Sequence, residues 1–388
     1  MNSGKMVFAQ LMEFAPYHVF KYCVKRYNGD YKVQNFTCWR QFLCMSFGQL
    51  THRESLSDTT LCLKLQQDKL YHLGIGKPFH KSTISRANET RDWRIYRDFA
   101  LKLIEQAKIL YSGVNQLDLK LKGSIYALDS SVVDLCITTF WWATYKTTKS
   151  AIKMHTLLDL KTAIPEYIFI TEGSVHDVRI LDRVDLPGGS YLVMDRAYID
   201  YKRLYSLTKR HINFVVRAKR DITCKVVHSN TPDTEAGILK DDKIVLTGSK
   251  TSKRYPNHLR MVRFYDDEQE RILVFLTNNF KLSAITVAQL YKSRWGIELF
   301  FRWIKQHLKV KTFWGQSENA VKTQIWIAIS SYVLVAIAKK QLKLKHSLYE
   351  ILQLISLAPF ERTPIYELFE NAEYQNFKEP DSNQLKMF

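Results

Sequence analysis

Apolar residues recur every three to four positions through the first hundred residues, which is the spacing of amphipathic helices. Examples are residues 39–43 and 96–101, where large apolar side chains would line one face of a helix. The polar stretch 112–122 interrupts this pattern and has the composition of a linker. The pattern therefore predicts a helical N-terminal region over residues 1–115.

After the linker, short apolar runs typical of strands alternate with helical segments. Strands are predicted at 124–128, 154–158, 167–170, 191–194 and 212–216, and helices at 177–184 and 202–209. Three strands, a helix, a strand, and then a further helix and strand make a mixed α/β order. We expect an α/β domain over about residues 116–340.

Residues 219–280 look like an insertion into that domain, because short strands alternate with turn residues. Strands are predicted at 243–246, 259–265 and 271–276. Helical spacing resumes at Leu282, and residues 341–388 are predicted to form a C-terminal helical region. There, Ser347 and Glu350 have the spacing of a capping box.

The composition is that of a globular protein with a strong excess of positive charge. Lys and Arg number 57 against 38 Asp and Glu, a formal net charge of +19. This excess favours a polyanionic partner, most simply nucleic acid, with an anionic membrane surface as the alternative. The apolar run 325–338 contains two serines and is shorter than the roughly 20 residues of a membrane span, so we expect a buried core helix. Six cysteines without a C-x-x-C pair indicate reduced thiols in a cytoplasmic protein.

Two carboxylates follow predicted strands. Asp129 comes after the run 125–128, and Asp195 comes after 191–194. An apolar strand that leads into Asp can place a carboxylate at the rim of a sheet, although such an Asp is more often a turn residue.

A polar stripe runs along a predicted helix that is otherwise apolar. Tyr291, Arg294, Glu298 and Lys305 have offsets of 3, 7 and 14 residues, which place their side chains within roughly 60° of each other. The other faces of the helix carry large apolar residues, which favours a stripe that faces a groove. The alternative is a simple ion pair between Arg294 and Glu298.

Three carboxylates brought within a few ångströms repel each other unless a cation neutralises them. Oxygen ligands in an open cluster suit Mg²⁺ or Mn²⁺. Two such ions can activate a water or a 3′-hydroxyl and stabilise the leaving oxygen of a phosphoryl transfer. Arg294 and Lys305 could hold phosphates beside such ions while Glu298 coordinates them.

These residues resemble a known family. The spacing Tyr291-x2-Arg294-x3-Glu298-x6-Lys305 matches the Y-R-E-K signature of the insertion-sequence-four group of DDE transposases. Segments 127–131, 152–159, 193–198, 214–219 and 313–319 are similar to that family as well, and the likeness extends from about residue 8 to residue 369. The second Asp block reads Asp-Arg-Ala-Tyr, whereas Asp-Arg-Gly-Tyr is commoner in the family.

The resemblance implies a ribonuclease-H-like catalytic domain with a β-rich insertion, preceded by a helical DNA-binding domain. It implies that Asp129, Asp195 and Glu298 bind two Mg²⁺ (or Mn²⁺) ions, and that Tyr291, Arg294 and Lys305 contact transposon-end DNA. The expected activity is metal-dependent cleavage of double-stranded DNA at the element ends, followed by 3′-hydroxyl strand transfer into target DNA. The protein would act as a homodimer at the nucleoid of a bacterial cytoplasm, with no membrane involved.

Two alternative functions remain open, a catalytically silent DNA-binding protein derived from a transposase and a structure-selective nuclease.

Further residues are assigned by their local pattern. Residues 81–88 resemble the start of a recognition helix, from which Arg86 and Asn88 could reach base edges; the alternative is a surface helix. Core packing is the more common role for a residue such as Trp295, and stacking on a base is the alternative. We expect Asp177 to be a first-turn or capping residue of a helix, with a transient metal or phosphate contact as the alternative.

Overall fold

The computed structural model describes residues 4–117, 119–136, 138–146, 149–219, 221–307 and 313–370. Its N-terminal part is helical, with α1 (Val7–Met12), α2 (Tyr17–Arg26), α3 (Cys38–Leu50), α4 (Leu56–Leu65), α5 (Lys81–Thr90) and α6 (Arg94–Leu110). The side chains of Thr37 and Ser55 cap α3 and α4. Edge-to-face stacking of Phe99 on Phe20 and Phe42 joins α6 to α2 and α3.

A mixed β-sheet follows. Its strands are β1 (Ile125–Leu135), β2 (Thr144–Lys146), β3 (Lys149–Asp159), β4 (Ile164–Glu172), β5 (Tyr191–Met194), β6 (Asn213–Arg217), β7 (Cys224–Asn230), β8 (Ile238–Leu246), β9 (Leu259–Asp266) and β10 (Arg271–Thr277). The order across the sheet is β4-β3-β1-β5-β6-β10-β9-β8-β7, and β2 lies beside the start of β3. Strand β3 is antiparallel to both β4 and β1, whereas β1, β5 and β6 run parallel to one another.

This arrangement makes the fold ribonuclease-H-like, as the resemblance implied. The insertion does not form a separate body, because β10 pairs with β6 and continues the same sheet. Helix α7 (Tyr201–Lys209) lies between β5 and β6, and the short helix α8 (Thr251–Arg254) lies within the insertion. The chain continues through α9 (Ala284–Ser293), α10 (Trp295–Arg302), α11 (Glu318–Gln341), α12 (Leu348–Leu357) and α13 (Ile365–Glu370).

The two faces of the sheet are covered by different elements. Ile125 and Ala127 of β1 belong to the apolar core that includes α10, α11 and the N-terminal helices. Tyr126 and Leu128 belong to a second core formed with α7 and the 3-10 segment Asp177–Arg183. Successive residues of a strand face opposite sides, so the face on which each β1 side chain lies follows from its position.

Helix α11 forms the centre of the larger core. By length and composition it could cross a membrane, but 94 % of its apolar window is buried inside the structure. This agrees with the buried helix that the serine-interrupted run predicted. The Gln49 side chain donates to the carbonyl of Gln324, so the N-terminal helices pack directly on α11. The limits of the domains remain predictions.

The structure corrects several local expectations. Asp129 lies inside β1, not at its end, because β1 continues to Leu135 along β3. Strand β7 was missed, since its side chains are mostly exposed and give no apolar run. The predicted helix at 177–184 is a 3-10 segment. The capping box at the start of α12 is confirmed.

Candidate active site

The position of Asp129 depends on two strands of unequal length. The parallel pairing of β1 with β5 ends at the pair Leu128 and Met194, whereas β1 continues beyond it along β3. Asp129 is therefore the first residue of β1 without a partner on the β5 side. It has the same parity as Ala127, which places its side chain on the sheet face that α10 covers.

Asp195 immediately follows Met194, so it lies beside Asp129 where the two parallel strands separate. It begins a short 3-10 turn, Arg196–Tyr198, and its Oδ1 accepts a hydrogen bond of 2.6 Å from the main-chain N–H of Ala197. Asp195 therefore caps a turn and also lies at the rim of the sheet, so both interpretations of an Asp after a strand apply to it.

Arg294 joins the helical segment to the sheet. Helix α9 ends at Ser293 and α10 begins at Trp295, so the predicted single helix is interrupted at Arg294. The Arg294 Nη1 donates to Asp129 Oδ2 at 2.7 Å, and its Nη2 donates to Glu298 Oε1. The guanidinium thus lies between two of the three candidate carboxylates. The expected pair between Arg294 and Glu298 exists, but it is part of a bridge to β1.

Burial and charge act in opposite directions on Asp129. Together they raise the pKa of its carboxyl from 3.8 to about 6; desolvation is the largest cause of the rise, whereas the Arg294 guanidinium and the N–H of Ser130 act against it. Charge repulsion from Asp195 and Glu298 contributes to the rise. Both carboxylates are therefore near enough to Asp129 to act on its charge, and the cluster favours a cation.

The donor set consists of carboxylate oxygens, which suit a hard divalent ion. In the described parts of the chain, however, no three His, Cys, Asp or Glu side chains are arranged so that they could hold a metal ion as they stand. As the site stands, Arg294 donates to an oxygen of Asp129 and of Glu298, and the Ala197 N–H donates to Asp195 Oδ1. The residues fit a divalent metal by chemistry, provided that Arg294 moves away.

The remaining members of the stripe have different surroundings. Tyr291 is buried, with its ring against Phe275 and the Arg294 guanidinium 5.7 Å from the ring centre. Lys305 Nζ donates to the main-chain oxygen of Val132 at 2.5 Å, beyond Asp129 on β1. Trp295 is 45 % exposed, which makes core packing the wrong prediction for it.

The N-terminal candidates separate into one exposed and one buried residue. Arg86 is exposed on α5. Asn88 is only 2 % exposed, and its Oδ1 accepts a hydrogen bond of 2.7 Å from Gln41 Nε2. Its main-chain oxygen accepts from Asn319 Nδ2. The prediction that Asn88 reaches base edges is therefore wrong, because this side chain lies on the inner face of α5 and ties the helix to α3.

Sequence reasoning missed a polar cluster below β1. Asp177 lies in the first turn of its 3-10 segment, as expected, but makes no capping bond. Its Oδ1 accepts from Ser130 Oγ at 2.8 Å and from Lys153 Nζ at 3.2 Å. The buried ring of His155 lies 3.7 Å from the same oxygen. Burial lowers the pKa of His155 to about 4, so the ring is neutral at physiological pH. The strand spacing of Lys153 and His155 was the available signal.

Comparison with known families gives two matches along the chain. Residues 120–334 match the model of the transposase DDE domain. Residues 3–76 match the model of a domain of unknown function, DUF4372. The first match spans the sheet, its insertion and the helices that carry Arg294 and Glu298.

Three curated relatives cover much of the same region. A putative transposase y4zB of Sinorhizobium fredii is 32 % identical over 58 % of this chain and 64 % of its own length. A probable transposase for insertion sequence element IS5377 of Geobacillus stearothermophilus is 30 % identical over 66 % of this chain and 67 % of its own length. A putative transposase for insertion sequence element IS4SA of Synechocystis is 27 % identical over 67 % and 72 %. The chain thus spans less than two thirds of the first of these relatives.

Proposed function

The chain belongs to the DDE transposases of insertion sequences, and from this premise we propose that it cuts DNA at element ends and transfers the freed 3′-hydroxyls to target DNA. The observation that carries the proposal is the convergence of three sequence-distant carboxylates. Asp129 and Asp195 lie side by side, each one residue beyond the last parallel pair of β1 and β5. Glu298 is linked to Asp129 through the Arg294 guanidinium.

DDE transposases depend on divalent metal ions, and we propose Mg²⁺, with Mn²⁺ as a substitute, in a pair held by Asp129, Asp195 and Glu298. When bound, such ions would activate the attacking oxygen and stabilise the leaving oxygen of a phosphodiester. The raised pKa of Asp129 supports this assignment, because a buried carboxyl among like charges gains most from a cation.

Arg294 has a different part in this scheme. Its guanidinium now neutralises Asp129 and Glu298, and it would be released when metal takes that place. A freed guanidinium beside the site can bind a DNA phosphate with two parallel hydrogen bonds. Tyr291 packs below the Arg294 guanidinium and orients it.

The DNA would lie along the face that carries Arg294, Trp295 and Lys305. Trp295 is exposed and adjacent to Arg294, so its ring is available for stacking on a base. The net charge of +19 supports binding of a polyanion. We propose that Arg86 of the helical region contacts the element end, that domains divide near residues 115 and 340, and that a homodimer holds two ends related by two-fold symmetry.

The test uses purified protein and a duplex of the inverted repeats that bracket its reading frame. We expect nicking in Mg²⁺ and none in EDTA, followed by joining of the cut ends to a plasmid. Asp195→Ala should bind the duplex normally and lose nicking. Asp134→Ala, which changes an exposed carboxylate of the same β1 strand, is the control and should nick normally.

Each alternative has its own outcome in this assay. Mg²⁺-dependent nicking that persists in Asp195→Ala would refute the carboxylate assignment. Nicking by the wild-type protein without strand transfer would identify a nuclease. Binding of the ends without nicking in either metal would identify a catalytically silent DNA-binding protein.

A further inference from the structure

The segment of β1 that carries Asp129 is held on one side only. Beyond Leu128 the strand has lost β5 as a neighbour, and its main-chain ladder continues along β3 alone. A strand with one free edge twists and moves more readily than a central strand. A carboxylate at this position therefore needs support that the sheet itself does not provide.

Ser130 links that segment to the opposite face of the sheet. Its main-chain N–H donates to Asp129 Oδ1 at 2.8 Å, which holds the carboxylate. Its hydroxyl donates to Asp177 Oδ1 at 2.8 Å. Ser130 has the parity of Leu128, so its side chain points away from the Arg294 bridge. One residue therefore connects Asp129 above the sheet with Asp177 below it.

Asp177 is itself held firmly. Lys153 Nζ donates to Asp177 Oδ1 at 3.2 Å and to the main-chain oxygen of Val175 at 2.9 Å. The Lys153 and Asp177 side chains are 16 % and 24 % exposed, so this ion pair is screened less than a surface pair. His155 is opposite Ser130 in the pairing of β1 with β3, and its fully buried ring lies beside Asp177. Asp177 is thus tied to β3 through Lys153 and His155.

We propose that Asp177 is a positioning residue that acts through Ser130 to fix Asp129 in the geometry required for metal binding. The inference rests on the proposed function, because it assigns Asp129 to a metal. Asp177 contacts neither metal nor DNA in this scheme. Partners of this kind commonly change metal affinity by 10–100-fold when they are removed.

The experiment measures metal affinity directly, by Mn²⁺ titration followed by electron paramagnetic resonance, alongside the Mg²⁺ midpoint of nicking. Asp177→Ala and Ser130→Ala should each raise both midpoints about tenfold, with unchanged affinity for the end duplex. Ser130→Thr keeps the hydroxyl on a strand position that suits a β-branched residue and should restore wild-type midpoints. Asp182→Asn is the control. Asp182 lies on the same 3-10 segment as Asp177, and the substitution breaks only its ion pair with Arg203 of α7.

The outcomes separate this inference from the proposed function. Wild-type metal midpoints in Asp177→Ala or Ser130→Ala would overturn the inference alone, even if the melting temperature fell, because a purely structural role lowers stability without moving the midpoint. If Asp177→Ala does not fold, the comparison of Ser130→Ala with Ser130→Thr decides. Equal Mn²⁺ binding by the wild-type protein and by Asp195→Ala would overturn both the proposed function and the inference.

Discussion

Replacing Asp129 with Asn should stabilise the metal-free protein while it abolishes activity. The pKa of this carboxyl rises from 3.8 to about 6 on folding, chiefly through burial. One pKa unit corresponds to about 1.4 kcal/mol, so ionisation of Asp129 destabilises the fold by about 3 kcal/mol at neutral pH. The side chain is 19 % exposed, so solvent screens only a minor part of this cost.

The pH dependence has a definite sign. Because the folded-state pKa lies above the unfolded-state value, the cost is absent below pH 3.8, grows as the pH rises, and is complete above about pH 6. Asp129→Asn cannot ionise, and its single amide oxygen replaces only one of the two acceptors, Oδ1 and Oδ2, that Ser130 N–H and Arg294 Nη1 use, a loss that does not depend on pH. Its advantage over the wild type should therefore be greatest at pH 7.5 and should disappear towards pH 4.

Chemical unfolding in EDTA, followed by circular dichroism at several pH values, measures this difference. Asp134→Asn is the matched control, since this carboxylate is exposed on the same β1 strand, and it should leave the stability unchanged. Added Mg²⁺ should stabilise the wild-type protein by mass action and should have little effect on Asp129→Asn. An Asp129→Asn variant no more stable than the wild type at pH 7.5 would refute the electrostatic argument.

Two further substitutions test the groups around the carboxylates. In a filter-binding titration, Lys305→Ala should weaken binding to the end duplex and reduce the steepness of log affinity against log salt by about one. Lys340→Ala, on the exposed end of α11, is the control and should change neither quantity. Equal losses in the two variants would remove any special role for Lys305. Arg294→Ala should destabilise the metal-free protein by about 2 kcal/mol, because it leaves Asp129 without its charged donor. In that variant Mn²⁺ should raise the melting temperature more than in the wild type, and an equal or smaller rise would contradict the view that guanidinium and metal occupy the same place.

The sequence pattern was most informative where local and long-range preferences agree. The strand Tyr191–Met194 has the predicted bounds, and the capping box of α12 is present, because both depend on neighbouring residues alone. The buried α11 was predictable, since an apolar run of its length is buried either in a core or in a membrane. Exposed strands such as β7 gave no such signal, because pairing with β8 rather than apolar burial forms them.

The spacing of Tyr291, Arg294, Glu298 and Lys305 predicted a shared polar stripe, but it did not reveal what each residue contacts. Only the packed structure brings Arg294 to Asp129, 165 positions earlier in the chain. The same packing turned Asn88 inward, where it bonds to Gln41.

The sequence by itself determined the basic charge and most of the order of helices and strands, and it singled out Asp129, Asp195 and Glu298 as candidates, since these follow from residue type, short-range spacing and a family signature. The tertiary structure decided which oxygens meet. The early end of β5 leaves Asp129 without a partner on that side of β1, the break between α9 and α10 brings Arg294 onto it, and Asp177 reaches Ser130 from the other face. Such contacts depend on strand register and packing between distant segments, which no local pattern encodes.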